Sequence, residues 1–148
     1  MAFHFPLEVV LRFRQSVEHQ QELRLRAATQ HVARVRHLIE QLDQRAKEMQ
    51  NRQWHELNAG TTAAELRFAF LCQSALSEQR RVLETELVRL QHLRNEQQKI
   101  YQKARRERET IASLRDRQQR EYRRQAARRE QRQLDDLFLL RQSYKSHS

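Results

Sequence analysis

Residues that break, bend or cross-link a chain are nearly absent here: the 148 residues include one glycine, one proline and one cysteine. A single glycine cannot build the glycine-rich loops that cradle phosphates, which excludes a P-loop and a dinucleotide-binding fingerprint. The lone Cys72 cannot form an internal disulfide, and no cysteine or histidine spacing fits a zinc site. No nucleophile is paired with a base along the chain. We therefore expect a protein that is not an enzyme and that uses no cofactor or metal.

Long apolar runs are scarce as well. Runs such as 68–72 and 137–140 are far shorter than the ~20 residues needed to cross a bilayer. The first ten residues lack the basic start of a signal peptide, and Glu8 falls where its apolar stretch would continue. These features predict a soluble chain that stays in the cytoplasm.

Good helix formers dominate the composition, and the apolar residues follow a heptad pattern. Pro6 and Glu8 favour a helix start, because proline is tolerated in the first turn and a carboxylate suits its positive end. The register passes through polar residues at Arg14, Glu18 and Gln21, where we expect weaker helix pairing. The apolar members recur at alternating steps of four and three: Leu7, Leu11, Leu25, Ala28, Val32, Val35, Ile39, Leu42, Ala46 and Met49.

The only glycine, Gly60, predicts a reversal of the chain at about 58–62. Asn58 precedes it, and Thr62 with Glu65 three residues later fits a helix N-terminal capping box. A kink in one continuous helix is the alternative. We predict an all-α fold in which two helices, about 6–57 and about 63–142, form an antiparallel coiled-coil hairpin with a longer second helix. The whole of 1–148 is expected to be a single domain.

The second helix carries a pattern that changes near its middle. Leu83, Leu87 and Leu90 are followed by Leu93, and this three-residue step resembles a stammer of the heptad. Folding about Gly60 also leaves the chain from about residue 113 without an intramolecular partner. Because an isolated helix is marginally stable, this overhang is expected to dock on a partner or to fray.

Positive charge is concentrated in the overhang. The net charge is +10, and residues 103–132 hold 12 Lys and Arg against 5 Asp and Glu. Such a patch suits nucleic acid, an anionic membrane surface or an acidic protein cavity. Tyr101 and Tyr122 would suit base stacking, whereas the interleaved acidic residues favour an ordinary solvated face.

Aromatic residues cluster around the predicted reversal. Trp54 is expected to pack against Leu66 or Phe70 at the end of the coiled coil, with contact to a partner as the alternative. Cys72 is expected to be a small buried apolar residue. The segment 68–72 is more apolar than a two-helix seam requires, so part of it is expected to contact another protein.

Three stretches together resemble the FliJ family of flagellar export proteins. They are FHFPLEVVLRFR at 3–14, YQKARRERE at 101–109, and EQRQLDDL at 130–137 with Arg141 after it. The resemblance covers nearly the whole chain, and it implies a coiled-coil stalk of the type III export apparatus that binds and stimulates a hexameric export ATPase. It also implies a location at the cytoplasmic face of the inner membrane, at the flagellar base.

The resemblance further implies three partners: the export ATPase, the export gate protein FlhA, and chaperones of flagellar substrates. No small-molecule substrate is implied. The positions that match the gate contact are Phe70, Gln73, Leu76 and Arg80, with the aromatic one position out of register. The contact with the ATPase ring is expected to involve both chain ends, through Leu7, Leu11, Leu134, Leu137 and Arg141.

Two other functions fit the same residues. A basic coiled coil that binds nucleic acid would show an affinity that falls steeply with salt. A structural coiled coil that self-associates through its overhang would form dimers in a concentration-dependent way.

Overall fold

The computed structural model describes residues 2–147, which form two helices, α1 (Glu8–Ala59, 52 residues) and α2 (Ala63–Ser146, 84 residues). The two helices make many contacts as an antiparallel hairpin, and α2 is the longer, so the predicted fold class is confirmed. No strand occurs within the described residues. Against the expected bounds of about 6–57 and 63–142, both helices end later in the chain.

The start of α1 follows the sequence signals around Pro6. The amide of Glu8 donates to the carbonyl of Phe5 at 3.2 Å, and the amide of Leu11 donates to the carbonyl of Leu7 at 2.9 Å. Glu8 is the acidic residue of the first turn. Its carboxylate lies near the positive end of the helix, which favours this start.

The reversal occupies only Gly60, Thr61 and Thr62. Gly60 has φ +92°, a left-handed conformation that costs glycine little and that ends α1. The side-chain oxygen of Thr62 then accepts a hydrogen bond from the amide of Glu65 at 3.3 Å. Thr62 is therefore the N-cap of α2, and the kinked single helix is ruled out.

The buried face of α1 keeps one heptad register from Leu11 to Gln53. Leu11 and Val32 are fully buried, and Val35, Ile39 and Leu42 are nearly so. The polar members of the register, Arg14, Glu18, Gln21 and Gln53, are partly buried along the same line.

The facing line on α2 continues without the stammer that the sequence suggests. Leu93 and Ile100 are about half exposed, whereas the less exposed residues after Leu90 are Arg94, Gln97, Tyr101 and Ala104. These residues keep steps of four and three, so the heptad persists through polar positions. The predicted stammer is wrong because two apolar residues lie beside the seam rather than in it.

The chain divides into two compact units, each of which contains parts of both helices. The central unit is His19–Gln102. The terminal unit comprises the described residues up to Glu18 together with those from Lys103 onward.

Antiparallel pairing is visible within each unit. In the central unit, Gln73 donates to Gln53 and Gln97 donates to Gln21, each at 2.7 Å. In the terminal unit, Arg108 reaches Glu18 at 2.6 Å. As the residue number in α1 falls from pair to pair, the residue number of its partner in α2 rises, as an antiparallel hairpin requires.

Neither helix contains, within the described residues, a stretch long and apolar enough to cross a membrane. The same residues hold no group of three or more His, Cys, Asp or Glu side chains that could bind a metal ion.

Candidate partner-binding surfaces

The four residues expected to contact the export gate lie in the central unit, and they differ in exposure. Phe70 is 68% exposed. Gln73 is bound to Gln53 across the hairpin, and Leu76 is half-buried. Arg80 forms ion pairs with Asp43 at 2.7 Å and with Glu84 at 3.1 Å. Phe70 is therefore the member of this set that is most available to a partner, and the other three also serve the hairpin.

Further apolar side chains near the reversal are exposed. Trp54 is 67% exposed, and Leu57, Phe68 and Leu71 are each more than half exposed. The expectation that Trp54 seals the end of the coiled coil is wrong, because a tryptophan packed against Leu66 or Phe70 would lose most of its exposed area. Cys72 is half-buried rather than buried. The surplus of apolar residues at 68–72 is left on the surface.

Sequence reasoning missed an apolar groove on one side of the central unit. Its volume is about 450 Å³, and its apolar walls come from Leu38, Leu42, Val82 and Leu83. Leu38 and Val82 stand beside the seam residues rather than in the seam. Apolar residues adjacent to the core positions of a heptad are the signal that could have revealed it.

Two acidic side chains along the central unit have shifted pKa values. A side-chain hydrogen bond from Arg81 lowers the pKa of Glu78, helped by the charge of that guanidinium. A hydrogen bond from Arg89 lowers the pKa of Glu86 in the same way. The pKa values of both arginines are raised in turn by these carboxylates. The two members of each pair lie three residues apart on α2. They are ion pairs on the helix surface and do not form a reaction site.

Where the sequence predicts weak pairing, the terminal unit has cross-helix ion pairs. Arg14 lies 2.6 Å from Glu107, and Glu18 lies 2.6 Å from Arg108. The Glu18 and Arg108 side chains are 17% and 27% exposed. The polar interruption of the seam is thus filled by complementary charges from α2.

The overhang begins later than expected because the extended N-terminal residues also pack on α2. Phe5 is buried, and the ring of Phe3 lies 5.6 Å from the ring of Tyr122. Glu8 lies 3.8 Å from Arg115. The prediction that the chain lacks an intramolecular partner from about residue 113 is therefore wrong. The expected overhang followed from taking Leu7 as the first paired residue, which left out the residues before it that extend the pairing.

The last part of α2, residues 127–146, is exposed throughout and is called here the C-terminal arm. Of the residues expected to contact an ATPase ring, Leu134 and Leu137 are 62% and 58% exposed, and Arg141 is exposed too. Four more large apolar side chains of the arm are at least 60% exposed: Phe138, Leu139, Leu140 and Tyr144.

The N-terminal members of the same expected contact are less available. Leu7 is 37% exposed, whereas Leu11 is fully buried in the seam. The structure therefore brings Leu134, Leu137 and Arg141 together on one arm, and it places Leu11 inside the hairpin.

Among the three comparisons with known proteins, the family comparison gives a match. The family described as "Flagellar FliJ protein" matches residues 3–147. No curated protein and no solved structure matched the chain in the other two comparisons. The match spans both helices, the N-terminal residues that pack against Tyr122 and all of the C-terminal arm. The chain therefore belongs to the FliJ family, whose members are components of the flagellar export apparatus.

Proposed function

We propose that this protein is a coiled-coil stalk that binds the hexameric export ATPase and stimulates its ATP hydrolysis. The observation that carries the proposal is the exposed apolar side of the C-terminal arm. Exposed apolar clusters of this kind mark interaction sites on proteins that otherwise hide such residues. The arm binds in the central opening of the ring, where Leu134, Leu137 and Arg141 contact the lumen.

The N-terminal residues contribute to this contact mainly by holding the start of α1 against α2. Leu7 is partly exposed and is available to the ring. Leu11 anchors α1 on α2, so its effect on ring binding is indirect. Phe3 and Phe5 fix the same end, because they pack beside the start of the arm.

Stimulation of the ATPase follows from binding that favours one conformation of the ring. A ligand shifts an equilibrium only by its differential affinity for the two states. An arm that contacts several subunits at once binds the closed ring more tightly than an open one. The protein itself hydrolyses nothing.

Contact with the export gate protein FlhA is assigned to the central unit. Phe70 supplies the exposed aromatic side chain, and Leu76, which is partly buried, lies nearly two turns further along α2. Gln73 and Arg80 shape this face while they bind Gln53 and Asp43. Through the gate the protein is held at the cytoplasmic face of the inner membrane, and it passes on chaperones of flagellar substrates there.

The test measures ATP hydrolysis by the cognate ATPase with and without this protein. The double variant Leu134→Ala with Leu137→Ala is compared with Val88→Ala with Leu93→Ala, which removes similar exposed apolar area from α2 outside the arm. The first variant is expected to lose most of the stimulation, and the second to retain it. Equal stimulation by both variants would reject the assignment of the arm.

A further inference from the structure

The arginines of α2 in the terminal unit divide into two groups by their partners. Upstream, Arg105, Arg108 and Arg115 form ion pairs with Glu109, Glu18 and Glu8. From residue 117 onward acidic partners become few. Among the described residues, the side chains of Arg117, Arg128 and Arg132 have neither an ion pair nor a hydrogen bond.

These arginines share one side of α2. Steps of three and four residues align Arg117, Arg120, Arg124, Arg128 and Arg132, which form the outer arginine face. Arg120 bonds only to the carbonyl of Asp116, and Arg124 lies 3.7 Å from Glu121. All five arginines are exposed.

The outer arginine face points away from the hairpin partner. Four residues of this stretch are half-buried: Gln118, Gln119, Tyr122 and Ala126. Gln118, Tyr122 and Ala126 follow the seam register, and Gln119 lies beside it. Arg120 and Arg124 lie two residues to either side of Tyr122, which places them on the opposite side of the helix. The face is therefore open to a partner while the hairpin stays closed.

Exposed apolar side chains continue the same side of the helix. Leu139 follows Arg132 by seven residues, which is two turns, and Phe138 stands next to it. They are 61% and 60% exposed. A row of basic residues that continues into exposed leucine and phenylalanine can bind an anionic membrane surface, because charge attraction and burial of the apolar side chains act together.

We propose that the outer arginine face, together with Phe138 and Leu139, binds the anionic headgroups of a lipid bilayer. A straight row of guanidinium groups on one side of a helix can contact a flat surface all at once. Each basic residue near an anionic surface adds about fivefold to the binding constant. The two apolar side chains add a second signal, which stable peripheral binding requires.

A nucleic acid is the less suitable anionic partner. Binding to a single strand relies on aromatic side chains that stack with bases. Tyr122 packs against Phe3 instead, and Tyr101 is half-buried in the seam. Arginines alone would give only the electrostatic part of nucleic-acid binding.

The proposal goes beyond the stalk function, uses another side of α2, and applies to molecules whose C-terminal arm is not inside the ring. Leu137 continues the seam side of α2, because Tyr122, Ala126, Gln133 and Leu137 follow one another by four, seven and four residues. Ring binding and lipid binding therefore have different key residues. A failure of one does not imply a failure of the other.

Co-sedimentation with vesicles tests the inference. The full chain is mixed with vesicles of equimolar phosphatidylglycerol and phosphatidylcholine, or with phosphatidylcholine alone. The variant R120Q/R124Q/R128Q is compared with R24Q/R34Q/R36Q, which removes equal charge from exposed positions of α1. Circular dichroism verifies that both variants stay helical.

We expect binding to the phosphatidylglycerol vesicles only, a loss of about 100-fold in R120Q/R124Q/R128Q, and near wild-type binding in the control. Equal losses in both variants would overturn the proposal, because net charge alone would then explain the binding. Equal binding to both vesicle types would overturn it as well. The proposal would also be overturned if the wild-type protein bound neither type of vesicle and instead bound a single-stranded RNA through the same three arginines.

Discussion

Arg108 donates two hydrogen bonds to the carboxylate of Glu18 across the hairpin, one from Nε at 2.6 Å and one from a terminal nitrogen at 3.4 Å. This bidentate pair occupies seam positions that would hold leucines in an apolar coiled coil. Because this pair is partly buried, it contributes more to the stability of the hairpin than the many exposed ion pairs of this chain do.

Removal of one partner of that pair is expected to destabilise the hairpin. Arg108→Gln leaves the Glu18 carboxylate partly buried without its bidentate partner, and we expect a loss of about 1–3 kcal/mol in the free energy of unfolding. Urea denaturation followed by circular dichroism measures it. Arg105→Gln is the matched control, since the Arg105–Glu109 pair lies within one helix turn and is half exposed. A loss in the control as large as in Arg108→Gln would contradict this view of the seam.

The second prediction concerns the core of the hairpin. Leu11→Ala removes a fully buried side chain and should cost about 2–5 kcal/mol of unfolding free energy. Leu23→Ala, at a position that is 49% exposed on the same helix, should cost far less. Thermal or urea unfolding of the two variants compares them directly. Similar losses would mean that Leu11 is not a seam residue.

The third prediction concerns the reversal of the chain at Gly60. Gly60 has φ +92°, and an added Cβ would meet nothing within 4 Å, so the cost of a substitution comes from the backbone alone. Gly60→Ala should destabilise the protein by about 1 kcal/mol. Gly60→Asn should cost less, because asparagine tolerates left-handed conformations better. Alanine that is tolerated as well as asparagine would show that the left-handed turn is not needed.

The fourth prediction concerns pH. The pKa values of Glu78 and Glu86 are lowered by hydrogen bonds from Arg81 and Arg89. A lowered pKa in the folded state means that these pairs contribute stability above the unfolded pKa, and that this contribution is lost as pH falls through the folded pKa. NMR titration of the side-chain carboxyl groups measures both values. Arg81→Gln should return the pKa of Glu78 to its ordinary range and leave that of Glu86 lowered.

The helices and their reversal could be predicted because each has a local cause. Pro6, Gly60 and Thr62 mark helix ends through their own backbone preferences. The apolar residues from Leu25 to Met49 fix the buried face of α1 through their spacing. None of these inferences needs knowledge of distant contacts.

The parts that could not be predicted depend on which residues meet across the hairpin. Gln97 holds a seam position because Gln21 faces it, whereas periodicity alone favours the more apolar Leu93. Likewise Phe3 has no helical neighbour in sequence, and only its contact with Tyr122 shows that it extends the pairing. The binding residues stay predictions, since exposure indicates which side chains are available and not what they bind.

The central claim is that the C-terminal arm binds the export ATPase ring. Its most direct test places a photo-crosslinking amino acid at Leu137, and at Val88 as a control, in the full chain mixed with the assembled ATPase. We expect crosslinks to the ATPase from position 137 and few from position 88. Crosslinks from position 88 alone, with none from position 137, would contradict it.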